Sequence, residues 1–251
     1  MSTGFNEPLI NSPRGPAATY AYRSKAGLVP SAEYAVYFND FFENPSSNAI
    51  PGTTAIIDTG ATITAAATDA ISYTGVLSVA SDGATEGATM YWPKGIQLGL
   101  GKKFFMEVRA YTEAADDTDV QFGLSIVNAT TNPEDVWTTA ATDLIAFGVL
   151  DGSAYVTMLC DKNNAGTSAL ASTVYSMSNS TWHTLGIEVT GTASGSTMGV
   201  KGYLDGQLAV TWGTETSVPD DAALAPFIGA RNGSSTGNAV YFDYVRWSLE
   251  R

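Results

Sequence analysis

Cysteine and histidine are nearly missing from this chain: Cys160 and His183 are each the only one of their kind in 251 residues. A single cysteine excludes an intrachain disulfide, so burial must hold the fold together, and Cys160 reads as a free, buried thiol. With one His and one Cys, an ordinary structural zinc site is excluded as well. Cations are scarce: 12 Lys plus Arg face 25 Asp plus Glu, a formal net charge of -13. That balance repels phosphates and anionic lipid, and no basic stripe studded with aromatics occurs, which sets nucleic-acid and membrane binding aside. No apolar run approaches the roughly 18 residues of a spanning helix. The opening Met1-Ser2-Thr3-Gly4-Phe5-Asn6-Glu7-Pro8 has neither a basic segment nor an apolar one, so no classical secretion is expected.

What the chain does hold is β-forming material, 44% hydrophobic and 11% aromatic. A chain of this length buries roughly three quarters of its unfolded surface, so one large domain is expected. Strand signals begin at Ala35 and recur at short intervals between Gly-rich turns, which predicts a sandwich rather than helices. Phe104, Met106, Val108 and Ala110 alternate with Phe105, Glu107, Arg109 and Tyr111, the period of a half-buried strand. Leu144–Leu150 and Tyr155–Cys160 flank Asp151-Gly152, where Asp-Gly supplies the positive φ of a tight hairpin turn. The aromatic strand near Phe38 is expected to pair with the last strand near Phe242. Short helices are expected only at Pro133–Trp137 and Pro219–Leu224, where a proline opens the segment and acids follow.

Residues 1–34 stand apart as an extended N-terminal arm before a sandwich domain at 35–251. The arm carries Pro8, Pro13, Pro16 and Pro30, and sets Arg14, Arg23 and Lys25 against Glu7 and Glu33. Prolines bar regular pairing and the few apolar residues form no core of their own, so the arm needs a partner surface to be ordered. On such a surface Phe5, Leu9, Ile10, Tyr20 and Tyr22 would be the apolar anchors, and Arg14, Arg23 and Lys25 the charge partners.

Near the C-terminus, Trp182-His183-Thr184-Leu185-Gly186-Ile187-Glu188-Val189, then Lys201-Gly202-Tyr203-Leu204-Asp205-Gly206-Gln207-Leu208-Ala209-Val210, then Val240-Tyr241-Phe242-Asp243-Tyr244-Val245-Arg246-Trp247 follow in order. This series resembles the end of a concanavalin A-like lectin/glucanase jelly roll, where a Trp-initiated strand leads to an Asp-Gly hairpin and a closing strand. The resemblance covers about residues 35–251. It implies an all-β jelly-roll sandwich of two antiparallel sheets, a fold shared by lectins, glycanases, lyases and viral structural proteins, so function must come from site residues.

Those residues are read one chemistry at a time. Glycanases of this fold carry Glu-x-Asp-x-x-Glu on one strand, two carboxylates facing one groove. The nearest match, Glu107 to Glu113, has Arg109 where Asp belongs, and an exposed Glu107–Arg109 ion pair is the expected role. Phe105-Met106-Glu107-Val108-Arg109 is also similar to the Arg-x-Glu-x-Arg strand of alginate lyases but lacks the first Arg. His183 is expected at a strand edge rather than as a base, and no Gly-x-Ser-x-Gly elbow frames a serine. Asp116, Asp117 and Asp119 offer oxygens for calcium, with a solvated acidic turn the preferred reading and no cofactor required. Trp92, Trp137 and Trp212 near turns offer a glycan-stacking platform.

With no intact catalytic set, a Lys-poor surface and a Pro-rich arm, the chain resembles a tailed-phage virion protein, a capsid decoration or cement protein. That resemblance implies a non-enzymatic component made in the host cytoplasm and located on the capsid surface. Its partners would be the major capsid protein and copies of itself in a homo-oligomer. The alternative is a carbohydrate-binding, lectin-like module recognising cell-surface glycans from a virion or tail fibre, with a glycanase or polysaccharide lyase third.

Overall fold

A computed structural model describes residues 34–39, 41, 50, 52–65, 75–98, 102–126, 143–163, 168–191, 199–212, 217–219, 221–233 and 237–250. Alternating apolar residues put sixteen strands into these segments. They are β1 (Tyr34–Asn39), β2 (Thr54–Ile57), β3 (Ala61–Ala65), β4 (Leu77–Ser81), β5 (Gly87–Tyr91), β6 (Ile96–Gln97), β7 (Lys103–Thr112) and β8 (Thr118–Ser125). Then come β9 (Asp143–Leu150), β10 (Ser153–Lys162), β11 (Ser168–Ser176), β12 (Thr181–Thr190), β13 (Gly199–Leu204), β14 (Gln207–Trp212), β15 (Ala223–Asn232) and β16 (Ala239–Glu250).

The strands form two antiparallel sheets of eight. The first runs β14-β13-β12-β7-β16-β4-β3, with β1 also on β16; the second runs β11-β10-β9-β8-β15-β5-β2, with β6 on β15. Between them lies the core. Phe104, Met106, Val108 and Ala110 of β7 point inward beside Leu185, Ile187 and Val189 of β12. From the second sheet Phe122 and Phe147 meet edge to face, with ring centroids 6.2 Å apart. Gly202 of β13 has no side chain to obstruct the Phe147 ring, which packs where its Cβ would stand. Cys160 is buried and unpaired, as its isolation in the sequence requires.

Two turns behave as their dipeptides dictate. Asp205 and Gly206 have φ of 49° and 80° between β13 and β14, and Gly152 has φ of 83° between β9 and β10, which is what a two-residue Asp-Gly connection demands. β1 pairs antiparallel with β16, Tyr37 opposite Trp247 and Phe38 opposite Arg246. The N-terminal strand therefore meets the last strand, further toward the C-terminus than Phe242.

Some expectations give way. The described residues of Pro219–Leu224 form no helix: Ala223 and Leu224 already belong to β15 and pair with β6. Tertiary pairing of β15 between β8 and β5 outweighs the local helix-start signal of a proline and two acids. Asp161, next after the apolar run Tyr155–Cys160, continues β10 and is fully buried. The arm anchors Phe5, Leu9, Ile10, Arg14, Tyr20, Tyr22, Arg23 and Lys25, the Pro133–Trp137 segment and Trp137 itself lie outside the described residues.

Candidate functional site

Three aromatic side chains meet at one end of the sandwich, between the two sheets. β1 and β16 place Tyr37 directly opposite Trp247, and the rings stack with centroids 3.9 Å apart and planes within 14°. Trp92, which follows β5, comes from the other sheet and is held there by its amide, which donates to the Pro226 carbonyl at 3.0 Å. Its ring stands nearly upright against both partners, at 69° to Tyr37 and 71° to Trp247. Together with Gly52, Pro93, Ile96 and Pro226 these rings line a pocket of about 230 Å³. Among the described residues no charged side chain lines it.

The hydrogen bonds in the pocket leave one donor unspent. Trp92 Nε1 donates to the Tyr37 hydroxyl oxygen at 2.8 Å and Asn39 Nδ2 donates to the same oxygen at 3.2 Å. Two accepted bonds occupy both lone pairs of a phenol, so its O–H is left to donate. Among the described residues no acceptor takes that proton. Burial of the apolar ring faces with a polar tip at the rim is the arrangement that orients an amphipathic ligand.

A second polar cluster sits on the outward face of the first sheet. Glu107 is fully buried, accepts from the Tyr244 hydroxyl at 2.8 Å, and is bonded by Arg246 of the neighbouring strand. An exposed Glu107–Arg109 pair is not what forms: Arg109 instead reaches Asp243 at 2.5 Å and lies over the Trp182 ring. A register shift in β16 between Phe242 and Tyr244 is the reason, since the extra residue brings Asp243 to Arg109 while Tyr244 pairs with that strand. Burial pushes the Glu107 carboxyl up, against the lowering pull of Arg246 and Tyr244. Burial and the adjoining Glu107 carboxylate likewise push the Tyr244 phenol up. Both bonds fall on Oε1 and tie β7 to β16, while Oε2 is buried without a hydrogen-bond partner among the described residues.

The other sequence candidates fall in separate places. Trp92 and Trp212 are only 4% and 6% exposed, one beside the second sheet and one in an edge strand of the first, so they form no shared surface platform. His183 lies near the start of β12, which runs between β13 and β7. The Ser178 amide donates to its Nε2 at 2.9 Å, which assigns the proton to Nδ1, and Nδ1 donates to Asp205 at 2.8 Å. Both nitrogens are therefore spent, Nδ1 on the β13–β14 turn and Nε2 on the connection between β11 and β12. Asp119 leaves the acidic turn, entering β8 as a buried residue that accepts the Asp151 amide at 2.9 Å and faces Arg231 at 3.4 Å. Burial outweighs those favourable contacts and pushes its carboxyl up to about 6. Asp116, Asp117 and Asp119 do not converge, and no group of three metal-ligating side chains occurs among the described residues.

Sequence reasoning singled out Trp92 but not Tyr37 or Trp247 as its partners. The pairing of the first and last strands was legible; its register, and the approach of Trp92 from the opposite sheet, were not.

No protein-family model matches the chain, and no curated protein matches its sequence. Solved structures do match its fold. An endo-1,3-β-glucanase from Streptomyces sioyaensis aligns over 88% of this chain and 98% of its own at 13% identity, with a TM-score of 0.53. An endo-β-1,4-glucuronan lyase from the fungus Trichoderma reesei aligns over 84% and 94% at 11% identity, with a TM-score of 0.57. The lectin UEA-II, solved in complex with galactose, aligns over 88% and 100% at 12% identity, with a TM-score of 0.54. The fold is thus the concanavalin A-like jelly roll. The expectation of a non-enzymatic protein is corrected by the same finding. Glucanases and a lyase stand among the structures of this architecture, so the missing sequence motif does not exclude catalysis.

Proposed function

We propose that this chain is a carbohydrate-binding protein whose ligand enters the Tyr37–Trp92–Trp247 pocket. The observation that carries the reading is the pocket itself: apolar ring faces from both sheets beside a phenol with one donor left. A pyranose has that same division, an apolar C–H face and a hydroxyl rim, and stacks on indole for the same reason that aromatic side chains pack. Fold neighbours that include lectins and glycan-cleaving enzymes support this reading over capsid decoration. The test is a glycan array followed by calorimetry. Trp247→Ala, assayed at a temperature where circular dichroism shows the variant folded, should lower affinity for any array ligand at least tenfold; undiminished binding would move the site elsewhere.

A location on a tailed-phage virion remains a second reading, favoured by the segregation of charge in the sequence. The N-terminal arm is basic in a chain whose remainder is strongly acidic, which suits attachment of the arm to an acidic neighbour such as the major capsid protein. Quantitative mass spectrometry of sedimented particles decides it. Copies in simple proportion to the shell protein support the reading, and absence from the particle band ends it.

A further inference from the structure

We infer that the pocket takes a single, uncharged sugar ring at the free end of a glycan, rather than a uronate or an internal stretch of chain. This inference rests on the carbohydrate-binding reading and narrows it. Volume is the first argument: about 230 Å³ lies below the roughly 300 Å³ at which pockets for larger ligands begin. One ring fills it, and a chain passing through needs a longer groove.

Charge is the second argument. The described residues that line it, from Tyr37 and Gly52 to Pro226 and Trp247, include no cation. A carboxylate placed there loses hydration and gains no counter-charge. The chain's net charge of -13 adds repulsion from further away. Orientation is the third argument, since the Tyr37 O–H, which no described acceptor takes, meets an acceptor on the ring while the half-buried Trp247 meets its apolar side and Trp92, near a right angle to it, closes the back of the pocket.

Calorimetry on the full chain tests this with four probes: a linear neutral oligosaccharide chosen from the array, cyclodextrin as a neutral glycan without an end, glucuronic acid, and choline chloride. The linear neutral sugar should bind at least tenfold tighter than the other three, with affinity unchanged between 50 and 500 mM NaCl because no ion pair is involved. Tyr37→Phe keeps the stacked ring but leaves the Trp92 Nε1 donor without its acceptor, so it should lower the melting temperature by a few degrees and, assayed where the variant is folded, weaken the linear sugar about three- to tenfold. Cyclodextrin or glucuronic acid binding as well as the linear sugar would overturn the inference and leave carbohydrate binding standing. Tighter binding of choline would overturn both by showing a cation cage, and silence across the array would remove the reading on which the inference rests.

Discussion

At Glu107 the environment reverses what the residue type suggests. A glutamate on an alternating strand reads as solvent-facing, yet here it has no exposed surface and shares a cluster with Arg246 and Tyr244. Removing one member of such a pair leaves a charge buried without compensation, which costs about 3–5 kcal/mol, whereas replacing both with apolar groups is often neutral. Arg246→Met should therefore lower unfolding free energy by about that amount in urea titrations, and Glu107→Leu with Arg246→Met should recover most of it. If the double variant is no more stable than the single one, the pair is not the unit described. Neither residue was legible as a partner of the other, because they lie 139 positions apart and meet only through the register of β16 on β7.

Among the strands, β8 and β9 depend on two glycines at the centre of the second sheet. Gly123 and Gly148 have φ of 155° and 159°, and a Cβ on either would overlap a carbonyl oxygen of the adjacent strand, Ile145 for the first and Val120 for the second. Backbone cannot yield as a flexible side chain can. Gly123→Ala should destabilise by at least about 3 kcal/mol, toward the upper end for single substitutions. Gly199→Ala, where nothing stands within 4 Å, should change stability by less than about 1 kcal/mol and serves as the control in thermal denaturation. The strand positions themselves were visible in the sequence, since apolar alternation in β7 and continuous apolar character in β9 are local properties. β15 was not, because its opening residues carry a helix-start signal that only its two neighbouring strands override.

For the molecule as a whole, acidity and burial act together on pH dependence. Resolved carboxyl shifts at Glu86, Glu107, Asp119 and Asp143 all run upward, each led by burial. For Asp119, raised to about 6, the unfolded chain releases its proton near pH 3.9 while the folded chain keeps it. Stability from this group is therefore whole below about pH 4 and falls as pH rises toward 6, by on the order of 3 kcal/mol. Titration of the remaining acids adds self-repulsion in the same direction. The melting temperature should be higher at pH 5 than at pH 8, and Asp119→Asn should flatten the difference; a maximum at pH 8 would contradict the assigned shifts.

Local pattern determined the fold class here: the period-two alternation, the Asp-Gly turns and the scarcity of cysteine and of cations together require a burial-driven antiparallel sandwich with an acidic surface. Those are properties of neighbours in the chain, and neighbours are what a sequence displays. The pocket was decided by tertiary structure alone. Tyr37, Trp92 and Trp247 come from three separate strand regions on two sheets, and their spacing is fixed by strand register and sheet-on-sheet packing, which no local stretch of residues encodes.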